Sequence, residues 1–584
     1  MLVKFLKVNE SKSVFRMLNK ALWVPGIILL LAYAWSSSSC ATIGSPAGGG
    51  RDTLAPSVIR CDPPNLSVAL SESGERLHSF DGSRVLLEFD EYYVLKNPST
   101  QIYLSPPTEG ELEFKQKGKK LYVQLPDSLK AATTYTLNFG SSLTDLTEGN
   151  VQNRFKYVFS TGTFIDSFLV QGMVVDAYTQ KAKKNMTVAL YEFSDSMTEQ
   201  SFDSIPLQAK PSFIGITDEE GFFSVDFVRS GVYKLLSFDD KNSDLVYNPG
   251  SEAFAFSKES LVSDSLPRVF LRSSVEEQTP EMRKPSHVDW GKIQVPFSAP
   301  VRELQWFPPL EGDTAMKEFA VRINPIADTM SFFWDSHSLD SMRIPLSWND
   351  TISDTALIRM RNYDTPERMA FRLNAKPQLD PTDSLQLIAA RPFRMLEPGI
   401  TLRSRKDTTE HTVQGASGFK FSHPLGIGYT EPGISELEIL PGQLEMLGGV
   451  LNPDTLILSW KMWKPQDYAE LLIEAQAEGD SPMIFELMKK GKVIRRLPFR
   501  GHLSERMIHL PPGEYKLQIL EDLDSNDRWT PADWEARRQA EKMFYYEEPI
   551  TLKANWEVEC VWRVQTEDFV FPVASPEEEP SPEE

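Results

Sequence analysis

Two short clusters of Asp and Asn are the residues of this sequence whose types and spacing could do chemistry. In each cluster, acidic or amide side chains stand at positions 1, 3 and 5. Their oxygens, arranged in a tight loop, are ligands that Ca²⁺ accepts. The candidate calcium ligands are Asp240, Asn242 and Asp244 in the first cluster, and Asp522, Asp524 and Asn526 in the second.

Both clusters depart from a calcium loop of the EF type. The sixth position holds Leu245 or Asp527 where such loops have Gly, and the twelfth holds Ser251 or Asp533 where they have Glu. The alternative interpretation is a polar connection between strands, in which Asp and Asn side chains accept backbone N–H groups. The shared spacing fits either interpretation, so both remain open, and calcium is the one cofactor that the sequence suggests.

Cys40 is the second candidate for chemistry, as a site of lipid attachment. A basic stretch over 1–20 precedes an apolar run over 21–35, which at about 1.5 Å per residue is too short for a hydrocarbon core of about 30 Å. This order is typical of a signal peptide, predicted here as 1–39, although a short membrane anchor remains the alternative. Cys40 after four serines resembles the acceptor of a bacterial lipoprotein, with Ser37 where that acceptor usually has Leu.

The lipoprotein resemblance implies a compartment and a partner. Ala41, where a retained lipoprotein would have Asp, implies sorting to the outer membrane, with its lipid as the partner of Cys40. The periplasmic face is favoured and the cell surface remains open. The formal charge of −21 argues against nucleic acid as a partner, because phosphate binding needs a basic surface. A protein partner in the envelope is expected.

Motifs of known catalytic sites are missing from the sequence. The seven histidines never occur as His-Glu-x-x-His, and there is no Gly-x-Ser-x-Gly elbow or phosphate-binding loop. We therefore predict that the protein is not an enzyme. Besides Cys40, the chain has Cys61 and Cys560, whose pairing would need the first and last domains to touch and is left open.

Alternation of apolar and polar residues recurs along the chain, as at Val85, Leu87 and Phe89. This period of two is typical of half-buried strands, and turn pairs such as Glu220-Gly221 separate them. Helical patterns are scarce, and 531–542 is the best candidate for a helix. The sequence predicts an all-β chain of tandem β-sandwiches.

An internal repeat organises these sandwiches. Gly231-Val-Tyr-Lys-Leu235 and Gly513-Glu-Tyr-Lys-Leu517 each precede one acidic cluster at the same distance, and an aromatic residue follows each cluster (Tyr247 and Trp529). We infer a duplicated A-B-A-B order. The predicted segments are a signal peptide (1–39), a flexible tether (40–51), an Ig-like sandwich (52–163), a transthyretin-like sandwich (164–272), a linker (273–284), a second Ig-like region with insertions (285–463), a second transthyretin-like sandwich (464–565) and a disordered acidic tail (566–584).

The residues of the first predicted sandwich carry a family resemblance. Asp52-Thr-Leu-Ala-Pro56, Phe89-Asp-Glu-Tyr-Tyr93 and Phe159-Ser-Thr-Gly162 resemble the bacterial Ig-like domain of S-layer-type and envelope proteins. The B units are similar to transthyretin-like or carboxypeptidase-regulatory-like sandwiches. The whole chain resembles a family of uncharacterised Ig-like lipoproteins of Gram-negative envelopes. This resemblance implies a fold and a location, and it implies no activity.

Three functional hypotheses follow. The first is a lipid-anchored envelope protein that acts as a non-enzymatic β-sandwich scaffold or interaction module. The second is a calcium-dependent binding or adhesion protein, in which the two Asp/Asn loops stiffen domain junctions. The third is a hydrolase hidden in the 310–430 insertion. Because the whole chain has 82 acidic residues, pairs of carboxylates at the spacing of a glycosidase site are expected by chance.

Overall fold

The computed structural model describes residues 52–565 apart from short internal segments. Cys40, the predicted signal peptide and the acidic tail lie outside the described residues, so the statements about them remain predictions. The internal segments that are left out are 72, 74, 76–82, 194–197, 199–201, 263–267, 312–313, 316–317, 336–339, 350–351, 367–368, 375–383, 398–399, 405–409, 426–433 and 462.

The all-β prediction is confirmed. Among the described residues, the helical ones are those of one short α-helix, α1 (Pro98–Gln101), of one 3₁₀ turn (Pro465–Asp467), and Phe202 and Asp203. Neither they nor any other helix in that part of the chain has the length and apolar character needed to cross a membrane. The strands form five units, called sandwiches 1 to 5, and each has its own buried apolar core.

Sandwich 1 contains two four-stranded sheets, β1-β3-β7-β6 and β2-β10-β8-β5, and a two-stranded pair, β4-β9. Alternate residues of β3 point into the core, and Val85, Leu87 and Phe89 are fully buried there. The strands are β1 (Val58–Asp62), β2 (Ser67–Val68), β3 (Arg84–Phe89), β4 (Tyr93–Leu95), β5 (Tyr103–Ser105), β6 (Glu113–Lys117), β7 (Lys120–Gln124), β8 (Thr134–Asn138), β9 (Leu143–Asp145) and β10 (Lys156–Ser160).

Sandwich 2 is one eight-stranded sheet that encloses its core, in the order β13-β12-β15-β16-β18-β11-β14 with β17 beside β15. Its first strand pairs antiparallel with β14 and parallel with the last strand, β18. The strands are β11 (Phe168–Asp176), β12 (Thr187–Glu192), β13 (Phe213–Ile216), β14 (Phe222–Val228), β15 (Val232–Phe238), β16 (Ala253–Phe256), β17 (Leu261–Val262) and β18 (Arg268–Val275).

Sandwich 5 repeats most of the pairing of sandwich 2, although its sheet closes between β39 and β40 where that of sandwich 2 closes between β16 and β18. Its first strand, β37, pairs antiparallel with β40 and parallel with the last strand, β44, and β41 pairs with β38, β42 and β43. This correspondence supports the inferred duplication of the B unit. The strands are β37 (Ala469–Ala477), β38 (Pro482–Lys489), β39 (Lys492–Arg500), β40 (His502–Leu510), β41 (Gly513–Glu521), β42 (Met543–Tyr545), β43 (Ile550–Leu552) and β44 (Glu557–Val564).

The region 285–463, predicted as one Ig-like region with insertions, contains two separate cores in the structure. Sandwich 3 pairs its strands as β19-β20-β25-β24 and β21-β26-β22-β23, with β27 beside β26. The strands are β19 (Ser286–Asp289), β20 (Lys292–Pro296), β21 (Gln305–Trp306), β22 (Leu310–Glu311), β23 (Thr314–Ala315), β24 (Phe319–Ile323), β25 (Thr329–Trp334), β26 (Ser341–Trp348) and β27 (Ile352–Arg359).

Sandwich 4 is the additional unit, built from β28-β29-β34-β35, with β32 beside β29, and from β31-β30-β33-β36. Its core gathers residues that are far apart in sequence, including Leu387, Phe393 and Leu437, and is distinct from that of sandwich 3. The strands are β28 (Phe371–Leu373), β29 (Gln386–Met395), β30 (Ile400–Ser404), β31 (Glu410–Val413), β32 (Ala416–Pro424), β33 (Ile434–Ile439), β34 (Leu444–Met446), β35 (Val450–Leu451) and β36 (Leu456–Lys461).

Candidate functional site

The first acidic cluster forms the loop between β15 and β16. The two carboxylate oxygens of Asp240 accept the backbone N–H groups of Asp244 (3.2 Å) and Leu245 (3.0 Å). Asn242 Oδ1 also accepts the Asp244 N–H, and Asn242 Nδ2 donates to Asp244 Oδ2 at 2.8 Å. The three candidate ligands therefore lie together, and their oxygens hold the backbone of their own loop.

The second cluster forms the corresponding loop between β41 and β42 and repeats these contacts. The carboxylate of Asp522 accepts the N–H groups of Asn526 (3.0 Å) and Asp527 (3.2 Å). Asp524 accepts from the Asn526 side-chain amide and, at 2.8 Å, from the Thr530 hydroxyl. The two loops share one conformation that their own side chains stabilise.

The sixth position of each loop has a left-handed backbone although it is not Gly. Leu245 and Asp527 both have φ of 61°, the region that glycine usually occupies. The backbone at the sixth position therefore turns as it would with Gly, although Leu245 or Asp527 stands there. The hydrogen bonds to Asp240 and Asp522 hold this strained backbone in place.

A buried glutamate closes each loop, and sequence reasoning missed both. Glu252, which is 2% exposed, stands one place beyond the twelfth position. Its carboxylate accepts the backbone N–H groups of Lys241 (3.3 Å) and Asn248 (3.0 Å). The signal that could have found it is a charged residue placed directly before the apolar strand β16.

Glu541 has the same role in the second loop. It is also 2% exposed, and it accepts the N–H groups of Leu523 (2.7 Å) and Thr530 (2.8 Å). Burial raises the pKa of Glu541. Asn248 and Glu252 are four positions apart, whereas Thr530 and Glu541 are eleven apart. The extra residues lie in 531–540, which we call the docking segment.

One group of carboxylates in the described part of the chain could hold a metal ion. Atoms of Asp522, Asp524 and Glu541 lie within 4.8 Å of one another. Oxygen ligands of this kind suit a hard cation, but both oxygens of Asp522 already accept backbone hydrogen bonds. In the first loop, burial raises the pKa of Asp240.

The calcium hypothesis stays a prediction, and the geometry sharpens its test. If the second loop binds Ca²⁺, added Ca²⁺ raises the melting temperature of the purified protein and Asp524→Asn abolishes the rise, because this change removes one ligand charge. Asp244→Asn removes one charge from the first loop and should leave the rise intact. A melting temperature that neither Ca²⁺ nor a chelator alters would exclude calcium binding.

The docking segment does not form the predicted helix. The backbones of Asp533 and Arg538 exchange two hydrogen bonds, of 2.9 and 3.0 Å, which close a tight turn. The Asp533 carboxylate caps the turn by accepting the Ala536 N–H at 2.8 Å. Arg537 has φ of 52°, which an α-helix does not tolerate.

This turn packs Trp534 onto the outer face of sandwich 2. The indole is 4% exposed and lies edge-on to aromatic rings of that sandwich, with centroids 5.7 Å from Phe256, 5.9 Å from Tyr247 and 6.2 Å from Phe254. Strands β15 and β16 are therefore buried on both faces, one in their own core and one under the docking segment.

Polar contacts fix the position of the docking segment. The Trp534 backbone N–H donates to Glu276 Oε1 at 2.8 Å, and its indole N–H donates to the Asp203 carbonyl at 3.1 Å. The guanidinium of Arg537 stacks 3.7 Å from the centre of the indole and forms an ion pair with Asp203. Gln539 donates to the Phe256 carbonyl at 2.7 Å. Sandwiches 2 and 5 are thus joined directly.

A second junction joins sandwiches 1 and 2. Backbone N–H groups of β13 donate to the hydroxyls of Ser105 and Tyr103, at 3.0 and 3.2 Å. A cleft of about 490 Å³ lies beside these contacts. Within it Lys156 forms an ion pair with Asp226, while burial and the nearby Arg154 lower the pKa of Lys156 to about 8. Arg154 also forms an ion pair with Asp218, so both basic residues of the cleft pair across the junction, which indicates a structural role.

The two cysteines in the described part of the chain are both free. Cys61 packs against the core of sandwich 1, and Cys560 lies in the core of sandwich 5. Burial raises the pKa of both thiols. The pair left open by the sequence is therefore not formed in this structure.

Two of the histidines are buried and hold backbone groups. His287 accepts the Arg361 N–H through Nδ1 at 3.0 Å, and His423 contacts the Phe393 carbonyl through Nε2 at 2.6 Å. Burial lowers the pKa of both rings. They belong to the cores of sandwiches 3 and 4.

The two sheets of sandwich 1, with their shared core, point to a known domain. Residues 52–161 match the bacterial Ig-like domain. The Ig-like prediction for the first domain is thereby confirmed, while the family proposed for the whole chain stays a prediction. A comparison with curated protein sequences found no match.

Solved structures give only distant likenesses. The TIE protein of Bacillus anthracis is 9% identical, with 89% of this chain and 76% of that chain covered and a TM-score of 0.14. The RrgB pilus protein of Streptococcus pneumoniae is 8% identical, with 70% and 100% covered and a TM-score of 0.16. The SGBP-B protein of Bacteroides ovatus, solved with a mixed-linkage heptasaccharide, is 9% identical, with 66% and 94% covered and a TM-score of 0.15. These TM-scores are too low to carry an argument about this chain.

Proposed function

We propose that this protein is a lipid-anchored scaffold or interaction module of the bacterial cell envelope and that it has no catalytic activity. Lipid on Cys40 holds it at the outer membrane, with the periplasmic face favoured. The partner of its sandwiches is another envelope protein, and nucleic acid is not a partner. The bacterial Ig-like domain at 52–161 supports this class of function.

The docking of sandwich 5 onto sandwich 2 is the observation that carries the scaffold proposal. Residues 532–540 pack onto a strand face more than 250 positions earlier in the chain; the contact of Ala532 with Ser274, for example, spans 258 positions. Such a contact fixes how two units sit relative to one another, which a flexible string of domains would not do. A protein that presents surfaces to partners at fixed spacing needs this property.

The lipid anchor is supported by the sequence around Cys40. The apolar run over 21–35, the serines over 36–39 and the following cysteine together resemble a lipoprotein signal and acceptor, with Ser37 where Leu is usual. Several acyl chains on one residue would hold the protein on a bilayer stably, because each buried CH₂ contributes about 0.8 kcal/mol.

Cys40→Ala tests the anchor. We expect the wild-type protein to sediment with outer membranes and to incorporate labelled fatty acid, and the variant to lose the label and leave the outer-membrane fraction, because no thiol remains to be acylated. Cys61→Ala is the matched control and should keep both properties. Retention of label and outer-membrane location by Cys40→Ala would refute the anchor.

A further inference from the structure

The docking of sandwich 5 on sandwich 2 creates a large cleft between the two units. It has a volume of about 1140 Å³. One wall comes from β17, β18 and the turn before β17, and the other comes from the second half of the docking segment and the end of β41. The cleft therefore exists only when the duplicated B units are joined.

The charge of this cleft is opposite to that of the chain. The whole sequence has 82 acidic and 61 basic residues. Among the described residues, the acidic ones that line the cleft are Glu259 and Glu521. Its basic lining residues are Lys258, Arg268, Arg272, Arg537, Arg538 and Lys542.

These basic side chains differ in whether they already form ion pairs or stack on an aromatic ring. Arg537 is held by Asp203 and Trp534, and the Arg538 guanidinium lies 4.0 Å from the Asp533 carboxylate. Lys258 and Arg268 are exposed, and no hydrogen bond or ion pair joins either side chain to a residue that the structure describes. Exposed basic side chains that line a cleft can contact a ligand that enters from solvent.

We propose that this cleft binds a ligand that carries several phosphate groups. Arginine offers a planar fork of N–H donors that matches phosphate oxygens, and a cleft lined by charges of one sign concentrates counter-charged ligands. The volume suits a ligand at least as large as a sugar with two phosphates. This role goes beyond the proposed scaffold function. The ligand is either the headgroup of a phosphorylated lipid or a free phosphorylated molecule.

Calorimetric titration of the full-length protein in neutral detergent with tripolyphosphate tests the proposal. We expect saturable binding that weakens as salt is added, because screening acts on exposed charges. The double change Lys258→Glu and Arg268→Glu should weaken binding at least about tenfold, since each removes a charge-assisted contact. Both side chains are exposed, so an unchanged melting temperature is the check on folding.

The matched control reverses two exposed lysines of β6 in sandwich 1, Lys115→Glu and Lys117→Glu, and should leave the affinity unchanged. Absence of binding to the wild-type protein, or equal binding by the cleft variant, would overturn the proposal. Monomeric dihexanoyl phosphatidate distinguishes the two sources. Binding of both probes at the cleft would assign a lipid headgroup, and binding of tripolyphosphate alone would assign a free phosphorylated ligand.

Discussion

Trp534→Ala is expected to release sandwich 5 from sandwich 2. The indole is almost fully buried among aromatic rings of the other unit, and truncation of such a tryptophan costs about 3–5 kcal/mol. Arg537 also loses the ring on which it stacks. In hydrogen exchange measured by mass spectrometry, peptides over 531–540 and 253–256 should exchange about a hundredfold faster or more than in the wild-type protein.

Trp556→Ala is the matched control for this result. Trp556 belongs to the same sandwich, but it is 54% exposed, so its truncation should leave the exchange of 531–540 unchanged. The core of sandwich 5 does not contain Trp534, so peptides over 469–477 should stay protected in the Trp534→Ala variant. Persistent protection of 531–540 in that variant would show that the docking does not depend on the indole.

Glu541→Ala is expected to unfold the second acidic loop locally. The carboxylate is the acceptor for two backbone N–H groups, those of Leu523 and Thr530, and its removal leaves both without that partner. A buried donor that loses its acceptor costs about 1–3 kcal/mol. Because Glu541 directly follows the docking segment, exchange should rise over 522–530 and over 531–540 together.

Two further changes separate this effect from a loss of charge. Glu541→Gln keeps one acceptor oxygen and should give a smaller increase in exchange over 522–530. Glu535→Ala removes an exposed carboxylate within the docking segment and should change nothing. An equal effect of Glu541→Ala and Glu535→Ala would contradict the role given to the buried carboxylate.

The strands could be predicted because the alternation of apolar and polar residues is a local property of the sequence. In β3 and β20 every second residue is apolar, and the structure buries those residues. The duplicated loops were also visible, because Asp240 and Asp522 stand at equal distances from the repeated Gly-x-Tyr-x-Leu strand. Local patterns thus predicted the elements and the positions of the two loops.

The association of sandwiches 2 and 5 could not be predicted from alternation. Strand β16, Ala253–Phe256, is buried at every residue, and a strand that is apolar on both faces signals a second packing partner without naming it. The helix predicted over 531–542 does not form because the Asp533 carboxylate caps a tight turn and Arg537 has a left-handed backbone, and helix propensity reports neither. Sandwich 4 was predicted only as an insertion, since its core joins residues from Leu373 to Trp460 that no local pattern brings together.

The join between sandwiches 2 and 5 turns part of the chain into a closed ring, with sandwiches 3 and 4 as the arc between the joined units. We therefore expect a mechanical load applied between sandwich 1 and the end of β44 to act first on the contact made by the buried indole, which bridges the arc. The two units of the arc bear no tension until that contact ruptures. Once the contact has ruptured, sandwiches 3 and 4 can extend between sandwiches 2 and 5. The molecule would then lengthen in one step while every core stays folded.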